Sequence, residues 1–132
     1  MLKPHFILYV ADQPRSCSFY RRVLGIEPVL DVPGMTEFRL GETAILGLMP
    51  SSGIRRLLGP KLPDPNLGAG IPRAELYLVV ENPQLYFDRA LQEGASSLSP
   101  LSVRDWGDRV AYCLDPDGYV VAFAERNDDL SA

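Results

Sequence analysis

The amino-acid sequence predicts an α+β fold in which two βαβββ modules form an open, curved, eight-stranded mixed sheet around a cavity, with the helices outside. A strand-like segment that begins at His5 and leads into an amphipathic helix is repeated from Glu75 onward in this chain of 132 residues. Glycines mark the helix ends and the turns between the short strands that follow. The repeat therefore predicts two related half-sheets, with His5 and Glu75 facing each other across the cavity.

The first module is predicted at about residues 4–49. Branched and aromatic side chains alternate over residues 5–11, which is typical of a strand. Asp12 is a suitable N-cap, Pro14 suits a first helical turn, and Gly25 permits the left-handed conformation that ends a helix. Short strands are then predicted over 29–31, 35–40 and 44–49.

The second module, at about residues 73–126, repeats this plan. Asn82 is a suitable cap, Pro83 suits the first turn, and Gly94 ends the helical pattern. The run DPDG at 115–118 predicts a tight turn with glycine at a positive φ. Strands are predicted near 98–103, 109–114 and 119–124.

A connecting segment over residues 50–72 is rich in proline and glycine, so it cannot contain a central strand. Residues 54–58 predict one helical turn that carries Arg55 and Arg56. Two interpretations remain open. The segment is either a linker that lets the second module cross over, or a flap over the cavity with an arginine that reaches an anionic ligand.

Charge and composition restrict the classes of partner. The net charge is −4 and Lys and Arg form no long run, which argues against nucleic acid and anionic membranes. No apolar run approaches the about 20 residues that span a bilayer, and the N-terminal residues lack the pattern of a signal peptide. Cys17 and Cys113 have no CxxC spacing, so we expect reduced thiols in a cytoplasmic protein.

Three motifs resemble the vicinal oxygen chelate superfamily, which includes glyoxalase I, bleomycin-resistance proteins, fosfomycin-resistance transferases and extradiol dioxygenases. The run FYRRVLG at 19–25 is similar to the family's FYxxxLG signature. The runs WGDR at 106–109 and DPDGY at 115–119 are similar to its closing signature, and His5 with YVAD at 9–12 to its first strand. The similarity spans about residues 4–125. It implies the paired-module fold and a homodimer whose partner buries the free sheet edges.

The resemblance also implies where metal ligands would stand. In metal-using members, each module contributes one ligand from its first strand and one from its last. The corresponding positions here are His5 and Glu75 in the first strands, and Gly47 and Ala122 in the last. Gly47 and Ala122 have no donor side chain, and a divalent ion generally needs three or more protein ligands. We therefore expect no metal and no other cofactor, unless Glu37 or a partner chain completes the set of His5 and Glu75.

Strand alternation predicts the cavity lining and places Phe6, Leu8 and Val10 on the opposite face, against the helices. Gly47 and Ala122 are expected to leave extra volume. Two tyrosines and aliphatic walls suit a small, largely apolar molecule, on which Trp106 would stack. The predicted ligand-binding residues are His5, Ile7, Tyr9, Gly47, Glu75, Tyr77, Trp106 and Ala122.

Three functions are consistent with this sequence. The first, which the missing donors favour, is a small-molecule binder without metal. The second is a metal-dependent lyase, isomerase or dioxygenase with an irregular ligand set, and the third is a dimerising regulatory module. His5 and Glu75 would also suit an acid–base pair that works without metal, so the sequence leaves open whether the chain is an enzyme.

Overall fold

A computed structural model of the chain describes residues 1–126. Its first half contains β1 (His5–Val10), α1 (Gln13–Leu24), β2 (Leu30–Val32), β3 (Met35–Leu40), β4 (Ala44–Pro50) and α2 (Ser51–Leu58). Its second half contains β5 (Glu75–Val79), α3 (Pro83–Gln92), β6 (Ser96–Val103), β7 (Arg109–Leu114) and β8 (Val120–Glu125). No helix in these 126 residues has the length and apolar character needed to cross a membrane.

The α+β class with two βαβββ modules is confirmed, but the single eight-stranded sheet is wrong. The strands form two four-stranded sheets, in the orders β1-β4-β3-β2 and β5-β8-β7-β6. In each module the first strand pairs in parallel with the last strand of that same module, so each module completes a sheet of its own. The chain divides into two compact units, Met1–Ala69 and the part from Gly70 onward.

In the first unit, α1 covers one face of the sheet. The side-chain amide of Gln13 donates a hydrogen bond to the Thr36 hydroxyl at 2.8 Å, so the helix lies on the face of the sheet that carries Thr36. Phe38, Leu46 and Leu48 are fully buried on it. The helix begins as predicted, because the Asp12 carboxylate accepts a hydrogen bond from the backbone N–H of Arg15 at 3.1 Å.

Phe6 departs from its predicted burial against the helix. It is 58% exposed, whereas Val10 at the other end of β1 is fully buried. Strand β1 lies at the edge of its sheet, and α1 packs on the more central β3 and β4. The helix therefore leaves the beginning of the edge strand uncovered, and alternation alone overestimates burial there.

In the second unit, α3 packs on the corresponding face. The Tyr86 and Phe123 rings stack with their centroids 5.8 Å apart, and Phe87 and Ala90 are buried beside them. The Asn82 side chain caps the helix by accepting a hydrogen bond from the backbone N–H of Leu85. These contacts establish which residues of β5, β7 and β8 face the helix and which face away from it.

The turn over residues 115–118 is built as the sequence predicts. The Asp115 carboxylate accepts hydrogen bonds from the backbone N–H groups of Asp117 and Tyr119, both at 2.9 Å. Gly118 has a φ of 87°, and a Cβ added there would lie 2.8 Å from Cα of Gly70. Glycine is needed at this position both for its conformation and for the close approach of the two backbones.

The connecting segment contains more helix than predicted. Helix α2 has eight residues, and it packs on β1 and β4 with Ile54 buried. Two short 3-10 helices follow, at Gly59–Lys61 and Pro65–Gly68. Nη1 of Arg55 lies 3.4 Å from the Asp64 carboxylate, so this arginine is held inside the segment.

Candidate functional site

On the face of the second sheet opposite α3, two tyrosines pack against small apolar side chains. Because Phe123 points to α3, its neighbours Ala122 and Ala124 point to the other face. Ala122 lies between Tyr77 on β5 and Tyr112 on β7. Both rings pack against a cluster of fully buried side chains, which are those of Val110, Ala122 and Ala124. We call this surface the tyrosine face.

A chain of hydrogen bonds connects the tyrosine face to the tryptophan. The Tyr77 hydroxyl donates to Oδ2 of Asp108 at 2.6 Å, and it accepts a hydrogen bond from Nε1 of Trp106 at 2.9 Å. The Asp108 side chain is 3% exposed, and Nη1 of Arg126 lies 3.5 Å from its Oδ2. Trp106 itself is 57% exposed. A buried carboxylate therefore fixes an indole ring that is largely open to solvent.

The loop that carries Trp106 is anchored on both sides. The backbone N–H of Gly107 donates to the carbonyl of Arg104 at 2.9 Å, and the N–H of Arg104 donates to the carbonyl of Asp108 at 2.8 Å. The Arg104 guanidinium donates to the carbonyl of Val110 at 2.8 Å and lies 5.1 Å from the centre of the Tyr112 ring. These contacts hold the loop, and with it the indole, against the sheet.

The two phenols remain protonated at neutral pH. Burial raises the pKa of Tyr77 above its usual value of about 10, and the hydrogen bond to Asp108 raises it further. Burial likewise raises the pKa of Tyr112, and the negative charge of Glu75 adds to the effect while Arg104 opposes it. Neither hydroxyl is therefore a ready general base, and this face is better suited to binding than to proton abstraction.

The residues predicted to bind a ligand fall into two groups, one on each sheet. Strand register places Ile7 beside Gly47, and Gly47 beside Glu37, on the face opposite α1. His5 shares this face, and its Nδ1 lies 3.5 Å from Oε2 of Glu37. The second group, Glu75, Tyr77, Trp106 and Ala122, belongs to the second unit. The pairing of His5 with Glu75 across a shared cavity stays a prediction.

Neighbouring side chains lie close to Gly47 and Ala122, the two positions at which the sequence predicts extra volume. A Cβ added to Gly47 would lie 3.0 Å from Cγ1 of Ile7 and 3.3 Å from Sδ of Met35. Ala122 is fully buried, and Tyr77 is among the side chains packed around it. Neighbouring side chains therefore occupy space next to both positions, and a small residue at a ligand position does not by itself create a cavity.

The donor set does not fit the metal site that the family resemblance implies. His5 approaches one carboxylate, that of Glu37, while Gly47 and Ala122 have no donor and are covered by neighbours. In the described residues 1–126, no group of three or more His, Cys, Asp and Glu side chains is placed to hold a metal ion. A divalent ion generally needs at least that many protein ligands.

We expect isothermal titration with zinc, nickel or manganese to show no tight, stoichiometric binding, because the donors around His5 are too few. His5→Ala is the matched control, since weak surface binding would not depend on this imidazole. One tightly bound ion per chain that disappears in His5→Ala would contradict this prediction and would identify His5 as a ligand.

Sequence reasoning missed Asp108, Arg126 and Tyr112. Strand alternation contained a signal for Tyr112, because it lies opposite Ala122 in an antiparallel pair and so shares its face. Asp108 belongs to the run WGDR that the family resemblance used, but its burial depends on contacts with Tyr77 and Arg126 that are distant in sequence. Local pattern does not show such contacts.

Comparison with known proteins identifies one family. The model of the Glyoxalase/Bleomycin resistance protein/Dioxygenase superfamily matches residues 4–123. An uncharacterised protein of Mycobacterium bovis is 28% identical over 122 residues, which are 89% of this chain and 78% of that protein. An uncharacterised protein of Mycobacterium tuberculosis is equally similar, over 69% of its own length.

Solved structures show the same fold. A glyoxalase-related enzyme from Fulvimarina pelagi has a TM-score of 0.78 and 20% identity, covering 93% of this chain and 86% of that one. A glyoxalase/bleomycin resistance protein/dioxygenase family enzyme from Burkholderia phytofirmans has a TM-score of 0.79 and 14% identity, covering 93% and 97%. At this identity the similarity concerns the fold alone.

Proposed function

Because the chain belongs to the Glyoxalase/Bleomycin resistance protein/Dioxygenase superfamily, we propose that it binds a small, largely apolar and planar molecule without a metal ion. One observation carries the proposal. The Trp106 ring is largely exposed while its Nε1 donates to Tyr77, whose hydroxyl donates to the buried Asp108. An exposed aromatic ring whose orientation is fixed by a hydrogen bond, which we call the platform, is what stacking with a ligand requires.

The hydrogen bonds of Trp106 and Tyr77 determine which class of ligand this surface favours. Nε1 of Trp106 and the hydroxyl of Tyr77 already form hydrogen bonds, so the surface around them offers a ligand mainly aromatic and aliphatic groups. Because the indole is held before binding, little side-chain entropy is lost when a ligand stacks on it. A flat, apolar ring system therefore gains most from contact with Trp106 and the tyrosine face.

A second candidate function is acid–base catalysis by His5 in a metal-independent lyase or isomerase. The distance of 3.5 Å between its Nδ1 and the Glu37 carboxylate favours this reading, because a carboxylate orients an imidazole for proton transfer. This candidate pair lies inside a single sheet, and the predicted pair of His5 and Glu75 stays a prediction beside it.

The binding proposal is tested by titration with bicyclic aromatic compounds, with 2-naphthol as the reference probe. Trp106 is the single tryptophan of the chain, so its fluorescence reports directly on the platform. We expect saturable quenching for the native protein and heat of binding by calorimetry. In Trp106→Ala, calorimetry is expected to show an affinity about tenfold lower, because stacking and apolar burial are lost together.

Phe6→Ala is the matched control, since it removes another exposed aromatic ring that lies in the first unit. Its affinity for the probe should equal that of the native protein. Unchanged binding in Trp106→Ala would overturn the proposal that this indole is the platform.

We also propose that the chain is a homodimer and that it is cytoplasmic. Each four-stranded sheet has edge strands, and covering such edges is a common reason for association. Cys17 and Cys113 are buried and form no disulfide, which suits a reducing compartment. Burial raises the pKa of Cys113 to about 12, and it also raises the pKa of Cys17, so both thiols stay protonated and inert.

A further inference from the structure

The second unit has a groove that the proposed binding function does not use. It lies beside the end of β5, the beginning of α3 and the end of β8, and it has a volume of about 770 Å³. Its apolar part consists of Val79, Val80, Leu85 and Tyr86, of which Val79 and Leu85 are exposed. Glu81, Glu125 and Arg126 provide the charged part. We call this surface the α3 groove.

The first unit has a helix at the corresponding place. Val10 and Pro50 are the last paired residues of β1 and β4, and α2 begins directly afterwards at Ser51. Its residue Ile54 is buried as the helix packs on these two strands. In the second unit, Val79 pairs with Ala124 at the same point of the sheet, and the α3 groove lies there. This end of the module is therefore a surface that accepts a helix.

The chain itself presents a suitable helix end. Leu57 and Leu58, in the last turn of α2, are 70% and 54% exposed. Arg56 beside them is exposed and makes no ion pair among residues 1–126, whereas Arg55 is paired with Asp64. The two exposed leucines give this helix end an apolar surface that a partner can cover, and the arginine beside them offers a charge to pair with.

The charges of the groove complement this helix end. Arg126 is engaged by Asp108, and Glu125 accepts a hydrogen bond from Arg109 at 2.9 Å. Glu81 makes no ion pair in the described part of the chain and remains exposed at the rim. The groove therefore has an apolar wall and the unpaired negative charge of Glu81. The end of α2 has exposed leucines and the unpaired positive charge of Arg56.

We propose that the α3 groove of one copy binds the C-terminal turn of α2 from a second copy of this chain. Leu57 packs on Val79 and Leu85, and Arg56 pairs with Glu81. The inference rests on the homodimer proposed above and identifies the surface through which it forms. Covering exposed apolar side chains provides the affinity, and the single ion pair sets the register of the helix in the groove.

The test is sedimentation equilibrium of the full chain, with circular dichroism to establish that each variant is folded. Leu57→Asp is expected to weaken dimerisation about tenfold or more, because it places a charge in an apolar contact. Leu57 is largely exposed in the single chain, so its replacement leaves folding intact. Leu67→Asp is the matched control, because Leu67 is also exposed but lies outside α2.

Charge reversal tests the register. Arg56→Glu and Glu81→Lys are each expected to weaken the dimer a few-fold, and the double variant is expected to restore it, because the pair is then re-formed with its signs exchanged. Glu42→Lys, at an exposed position elsewhere, is the control for net charge. Loss without restoration would overturn the proposed pairing of Arg56 with Glu81.

The outcomes separate the two proposals. A native chain that sediments as a monomer at high micromolar concentration would overturn both the homodimer and the α3 groove as its interface. A dimer that is unchanged by Leu57→Asp and by both charge reversals would overturn the groove alone, and the homodimer would then form through another surface. The binding of 2-naphthol at Trp106 is measured independently of either result.

Discussion

Asp108→Ala is expected to lower the free energy of unfolding by about 1–3 kcal/mol, because it leaves the partly buried hydroxyl of Tyr77 without its acceptor. It also removes the charge that faces Arg126, but that side chain is well exposed and water compensates for most of the loss. The second expected effect is on Trp106. Once Tyr77 is no longer held, the indole should become more mobile and probe binding should weaken.

Urea denaturation measures the first effect, and the fluorescence anisotropy of Trp106 measures the second. Asp105→Ala is the matched control, because Asp105 is an exposed carboxylate in the same loop. Its stability and anisotropy should match those of the native chain. If Asp108→Ala kept the native anisotropy, the hydrogen-bond chain through Tyr77 would not be what holds the platform.

Phe123→Ala is expected to cost about 3–5 kcal/mol of stability, which is a large part of the total for a domain of this size. Phe123 is fully buried on β8 and stacks on Tyr86 of α3, so its loss leaves a cavity between the sheet and the helix. Ala111 and Leu78, its neighbours across the sheet, are too short to fill that space without movement of the backbone.

Phe6→Ala provides the comparison on stability, since the same atoms are removed from an exposed position. Its cost should stay within about 0.5 kcal/mol. A large loss in Phe6→Ala would show that the beginning of β1 is buried in solution, contrary to its exposure in the folded chain. Thermal and urea unfolding of both variants, followed by circular dichroism, give the two values.

Much of the fold could be predicted because its elements are specified by neighbours in sequence. Asp12 and Asn82 cap their helices through backbone groups three residues away, and Gly25 ends α1 at a φ of 69°. The turn before Gly118 depends on the carboxylate of Asp115 and on glycine itself. Such contacts span one turn of chain, so a local pattern is sufficient to predict them.

The candidate site could be predicted only in part. Alternation correctly assigns Tyr77 and Ala122 to one face of their sheet, because the side-chain period of a strand is two residues. It does not show that Tyr77 is bonded to Asp108 and Trp106, which lie about thirty residues away in sequence. The roles of these residues depend on which loop returns to the strand, and no short pattern contains that information.

The sequence by itself determined the module plan, the helix ends and the turns, because each follows from residues that touch their near neighbours. Only the tertiary structure decided that the strands form two sheets, that Phe6 is left uncovered at an edge, and that Ile7 and Met35 occupy the space above Gly47. These outcomes depend on which side chains meet across strands and helices. At Gly47 the neighbouring side chains occupy the space beside a small residue, so the shape of a site is decided by all the residues that surround it.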